Sequence, residues 1–92
     1  MADERRRVYF SGRVQGVGFR YTAERISKSF NVRGFVRNLF DGRVELVMEG
    51  EPSTLDAFLQ AIRSDLGDKI QSFRVEHEPR DQPLADRFVI AW

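Results

Sequence analysis

From Arg7 onward apolar and mixed positions alternate, with Val8, Phe10, Gly12 and Val14 on one side and Arg7, Tyr9, Ser11 and Arg13 on the other. A period of two predicts a strand over about Arg5 to Val14 with one face turned to a core. Phe19, Ala23, Ile26 and Phe30 then recur at helical spacing, with Glu24, Arg25 and Lys28 between them, which predicts a helix over about Tyr21 to Phe30 with Asn31 as its cap. Val32 to Leu39 reads as strand two, with Val36 inward. Asp41-Gly42 follows as a hairpin turn, so strand three, Arg43 to Gly50, pairs antiparallel with strand two. Helix two opens near Pro52, closes at Gly67, and buries a stripe of Leu55, Phe58, Leu59, Ile62 and Leu66. Strand four, about Lys69 to Glu78, turns Phe73 and Val75 to one side; Pro79 and Pro83 bracket a loop, and Arg87 to Ala91 forms a short last strand. Trp92 is expected to bury its ring at a sheet edge.

The order β-α-β-β-α-β with a short strand appended predicts an α+β, ferredoxin-like sandwich, two helices lying on one face of an antiparallel sheet, as a single domain over residues 1–92. In the split β-α-β arrangement strand three lies between strands one and two. Strands one and two then run the same way and end on one rim. The loop Gln15 to Arg20 is thereby expected to face Arg37-Asn38.

That loop carries the chemistry. A strand delivers Gln15-Gly16-Val17-Gly18-Phe19 to the start of a helix, where first-turn N–H groups lack partners and glycine lets backbone approach a ligand closely. Arg20 adds a guanidinium fork suited to phosphate oxygens. The loop lacks the Gly-Lys-Ser/Thr ending of the Walker loop, and Tyr21 stands where a dinucleotide fingerprint needs its third glycine.

Bulk properties narrow the field. Fifteen basic against fourteen acidic residues give a net charge of +1, too little for a whole face to recruit nucleic acid or anionic lipid. No cysteine and one histidine, His77, exclude a disulfide framework and the usual zinc and triad constellations. No apolar run spans a membrane and the N-terminus lacks a secretion signal's apolar centre, so a cytoplasmic protein is expected. Arg5-Arg6-Arg7 reads as a solvated beginning of a strand rather than a nucleic-acid handle.

Two stretches together resemble the acylphosphatase family: Gly12-Arg13-Val14-Gln15-Gly16-Val17-Gly18-Phe19-Arg20, and the run from Gly34-Phe35-Val36-Arg37-Asn38 to Gly50. Phe10 stands where an aliphatic residue is more usual, a matter of packing. The resemblance implies hydrolysis of acyl phosphates to carboxylate and inorganic phosphate without metal or organic cofactor. It also implies that Arg20 binds phosphate together with the amides of Gln15, Gly16, Val17, Gly18 and Phe19, and that Asn38 holds the attacking water. A carboxylate leaves without protonation, its conjugate acid having a pKa of roughly 4, so no general acid is required. The expected partners are a small acyl phosphate and inorganic phosphate, with no nucleic acid and no membrane, and the chain is expected to be a monomer. The alternatives are a non-catalytic phosphate-binding module, or an RNA-binding module stacking bases on the open sheet at Tyr9 and Phe35.

Overall fold

A computed structural model describes residues 2–92. The chain forms β1 (Glu4–Gly12), α1 (Phe19–Ser27), β2 (Arg33–Asn38), β3 (Val44–Gly50), α2 (Pro52–Leu66), a 3-10 turn (Gly67–Lys69), β4 (Ile70–Glu78) and β5 (Phe88–Ile90). The five strands make one sheet in the order β4-β1-β3-β2-β5. β3 pairs antiparallel with both β1 and β2, so those two strands are parallel to one another and end on the same rim. Asp41-Gly42 makes the expected turn: Gly42 takes φ 92°, and the Asp41 carboxylate accepts from the Arg43 N–H at 3.0 Å.

Two expectations need correction here. The sheet is mixed, because β5 pairs parallel to β2; a strand reached from the opposite edge through a long loop is free to add in either direction, and local pattern does not encode which. α1 begins at Phe19 and ends at Ser27, two residues before the expected start at Tyr21 and three before the expected end at Phe30. Phe30 still packs on Phe58, with ring centroids 5.8 Å apart, but from a turn after the helix rather than from the helix itself.

The core lies between the helices and one face of the sheet. Val8 and Phe10 of β1, Val36 of β2, and Val44, Leu46 and Met48 of β3 meet Phe19 and Ala23 of α1 and Leu55, Phe58 and Ile62 of α2. Phe10 sits 4.8 Å from Phe19 between ring centroids, so the strand that precedes the loop and the helix that follows it are clamped together by an aromatic pair. β2 and β3 approach so closely that a Cβ on Gly34 would lie 1.9 Å from the Val47 carbonyl oxygen. Glycine is the only residue that fits there.

The other face of the sheet is covered by charge rather than by a layer. Glu45 and Glu49 of β3 are 3% and 4% exposed, although no helix lies over them. Arg5 and Arg33, from the strands on either side, both bond Glu49; Arg7 and Arg37 likewise flank Glu45. Arg6 reaches Glu4 and Asp56. The expectation that Arg5-Arg6-Arg7 is solvated is therefore wrong: acids remote in sequence hold all three, Glu49 of β3 for Arg5, Glu45 and Glu78 for Arg7 and Asp56 of α2 for Arg6. Tyr9 lies under the guanidinium groups of Arg43 and Arg74, and Phe35 under that of Arg37.

Burial would push the Glu49 carboxyl up, but hydrogen bonds from Arg5 and Arg33 outweigh it and hold it below its ordinary value of 4.5. A depressed carboxyl lends stability that is complete above its unfolded pKa and is lost as pH falls through the lower, folded one. Glu49→Gln leaves the buried Arg5 guanidinium without a counter-charge and is expected to cost about 3 kcal/mol in urea unfolding at neutral pH. The same variant should lose less stability than the parent between neutral pH and the acid range below 4.5, measured by melting at a series of pH values.

Candidate active site

The segment between β1 and α1 is pinned at both ends and bent between them. The Arg13 N–H donates to the Lys69 carbonyl at 2.9 Å, Val14 is fully buried, and Val17 packs against the core. Gly16 and Gly18 turn the backbone at φ 75° and 79°, a left-handed conformation that disfavours any residue with a side chain. Among the described residues, no protein acceptor takes the N–H groups of Gln15, Gly16, Val17 or Gly18.

Gly18 is also the N-cap of α1, and it offers no side chain to the helix. The first turn closes with Thr22 N–H donating to the Gly18 carbonyl at 2.9 Å, so the N–H groups of Phe19, Arg20 and Tyr21 have no partner within the helix. No acidic residue occupies that turn. A helix start lacking both a capping side chain and a nearby carboxylate keeps its positive end for an outside anion.

Gly16, Gly18, Phe19, Arg20 and Asn38 border one pocket of about 170 Å³, together with Val14 and Tyr21. The predicted loop and the predicted asparagine, which follows Arg20 by 18 residues, thus meet across the rim. The side chains of Gln15 and Val17, whose expected contribution is their backbone N–H groups, do not border this pocket. The half-buried Val17 side chain packs against the core. The Gln15 carboxamide donates to the Leu39 carbonyl at 2.7 Å and to the Arg43 carbonyl at 2.9 Å, cross-linking the loop to the hairpin that follows Asn38. Tyr21 was missed, although its place directly after Arg20 in the first helical turn was the available signal.

Beside this pocket lies a hollow of about 600 Å³ bordered by Gln15, Arg37, Asn38, Leu39, Phe40 and Trp92. Trp92 was expected to be buried; the residue is 84% exposed, and its ring centroid lies 4.3 Å from the Arg20 guanidinium carbon. The core is already filled by phenylalanines from both layers, and the last residue is held beyond the end of β5. Arg37, next to Asn38, gives its Nε–H to Glu45. His77 lies away from the rim on β4, and its side chain is exposed. Among the described residues, no group of three or more His, Cys, Asp or Glu is placed to hold a metal ion.

A family model described as acylphosphatase matches residues 6–90. The chain is similar to an acylphosphatase of Haloarcula marismortui, 38% identical over the full length of both chains. It is also similar to one of Archaeoglobus fulgidus, 51% identical over 62% of this chain and 64% of that one, and to one of Treponema denticola, of which it spans 62% at 48% identity. Among solved structures, an acylphosphatase from Bacillus subtilis superposes with a TM-score of 0.84 at 31% identity, over 97% of this chain and 99% of that one. The ferredoxin-like fold read from the element order is the fold of these neighbours.

The Gln15 cross-link makes a stability prediction independent of any ligand. Gln15→Ala removes both hydrogen bonds and is expected to cost about 1–2 kcal/mol in urea unfolding. Gln15→Glu, which sets a carboxylate against the carbonyl oxygens of Leu39 and Arg43, should cost at least as much.

Proposed function

The chain belongs to the acylphosphatase family, and we propose from this that it hydrolyses acyl phosphates to a carboxylate and inorganic phosphate, with Arg20 and the backbone N–H groups of Gln15 through Arg20 binding the phosphate and Asn38 orienting the attacking water. The observation that carries the reading is the shared pocket: the glycine turn, Arg20 and Asn38 line one space, while the hydrogen bonds of Gln15 hold its two walls together.

The chemistry needs little more than these groups. In a loose phosphoryl transition state bond formation to the nucleophile lags, and charge spreads over three outer oxygens. Main-chain N–H groups at the helix start and the Arg20 guanidinium oppose that charge without having to reorganise. The Asn38 side-chain oxygen accepts a proton of the water and so points its lone pair at phosphorus. An amide is too weak a base to remove that proton. Deprotonation is therefore late, or the proton passes to the substrate's own phosphate. The leaving carboxylate is stable as an anion and departs unaided.

We further propose a single domain over residues 1–92 that acts as a monomer in the cytoplasm, without metal. No helix among the described residues is long and apolar enough to cross a membrane. An RNA-binding sheet is disfavoured by the tiling of Tyr9 and Phe35 with arginines that are themselves paired to Glu45 or other acids. A base stacking on these rings would first have to displace those pairs.

Three measurements test the reading. Arg20→Gln is expected to abolish turnover of benzoyl phosphate and to weaken inhibition by inorganic phosphate at least tenfold, about 1.4 kcal/mol or more of lost binding. Asn38→Ala should lower kcat by about a hundredfold or more while phosphate inhibition persists; near-normal turnover in that variant would refute the water-positioning role. Activity of the parent should be unchanged by a chelator, and a loss restored by a divalent cation would overturn the metal-free reading.

A further inference from the structure

We propose that Trp92 is a positioning residue for Arg20, holding the flat face of the guanidinium against its indole ring while leaving the N–H donors free for phosphate. The inference rests on the assignment of Arg20 to phosphate binding. Its first support is the contact itself, 4.3 Å from the guanidinium carbon to the ring centroid, made by a tryptophan that is largely exposed. A large aromatic ring left in solvent is not held there by core packing.

The second support is how the chain brings it there. β5 adds to β2 in parallel, pairing Gly34 with Phe88, Phe35 with Val89 and Val36 with Ile90. The Ala91 N–H continues the ladder by donating to the Val36 carbonyl at 2.9 Å. The residue after Ala91 must therefore emerge beside the end of β2, on the rim where Asn38 and the anion loop already face each other. Had β5 paired in the opposite direction, its last residue would lie at the far end of the sheet. The parallel orientation of β5, contrary to the antiparallel sheet expected from the sequence, is what delivers Trp92 to the site.

The third support comes from comparing the ways an arginine can be held. Arg5 and Arg37 are held by carboxylates, which consume N–H donors and cancel charge. An arginine held like that is already occupied before an anion arrives. Arg20 has no carboxylate partner among the described residues, only the ring. A π face engages the plane of the guanidinium and leaves its five N–H donors, which lie in that plane, directed outward. Side-chain freedom is thereby reduced in advance of binding, with neither donors nor charge spent.

The test uses Trp92→Leu, which removes the π face but keeps apolar bulk, with Trp92→Phe as the conservative variant. In Trp92→Leu, KM for benzoyl phosphate and the inhibition constant for inorganic phosphate should rise together by about threefold to tenfold, with kcat changing much less. Trp92→Phe should recover most of the loss. Because Trp92 is the only tryptophan, its emission should shift on titration with inorganic phosphate, saturating at the parent's inhibition constant, and the shift should vanish in Arg20→Gln. Parental KM and inhibition constant in Trp92→Leu would overturn the proposal. If Arg20→Gln loses phosphate inhibition while Trp92→Leu behaves as the parent, Trp92 alone is misassigned; if Arg20→Gln retains inhibition, the assignment of Arg20 falls and the proposal with it.

Discussion

Antiparallel pairing of β3 with both β1 and β2 is the constraint on which the rest depends. A strand placed between two neighbours and antiparallel to each forces those neighbours to end on the same rim, and adjacent strands lie about 4.8 Å apart, so the two ends are separated by roughly 10 Å. That gap is the size the proposed reading requires, room for a phosphate and one water between a loop on one side and a side chain on the other. Close approach at Gly34, where any Cβ would meet the Val47 carbonyl, and the Phe10–Phe19 contact keep both walls in register with the sheet. The pocket is a consequence of strand order before it is a consequence of any particular polar residue.

At the same rim local stability and ligand binding pull in opposite directions. A serine or aspartate in place of Gly18 would normally stabilise the start of α1 by about 1 kcal/mol, and an acid in its first turn would add a few tenths more. The chain has neither. Gly18 stands at φ 79°, where a capping side chain would be strained, and a carboxylate there would repel the anion that the free N–H groups are suited to receive. Support for the helix start comes instead from Val14, Val17 and Phe19 packing into the core and from the Gln15 cross-link to the hairpin.

What could be read from the sequence divides along the range of the interaction. The stripe of α2 and the Asp41-Gly42 turn are local patterns, and each lies where periodicity and turn chemistry predicted; the strand–glycine loop–helix sequence was legible too, though not the residue at which the helix starts. Asn38 was found opposite the loop because strand order follows from the alternation of elements. The misses are long-range. Nothing near Arg5 announces Glu49, the direction of β5 depends on a crossing that no periodicity records, and the exposure of Trp92 follows from that direction. The early start of α1 was missed for a different reason: its cap is a left-handed glycine and not a polar capping residue, so the usual signal of a helix beginning is absent. The same absence is what leaves the N–H groups available.

The charge pattern decides which arginine an anion can take. Arg37 stands next to Asn38 and borders the neighbouring hollow, so by position alone it competes with Arg20 for phosphate. Its partner, however, is Glu45, which is almost wholly buried and also accepts from Arg7. Drawing Arg37 away would strip a buried carboxylate of part of its counter-charge, a loss that can reach several kcal/mol in such settings. A single phosphate contact at an exposed site does not recover that much. The same holds for Arg5 and Arg33 around Glu49. Burying two glutamates in the middle strand therefore does more than cover a sheet face: it occupies the neighbouring arginines and leaves Arg20, which no carboxylate holds among the described residues, as the unpaired guanidinium bordering the pocket. A chain with a net charge of only +1 can in this way keep one guanidinium unpaired at the rim without a generally basic surface.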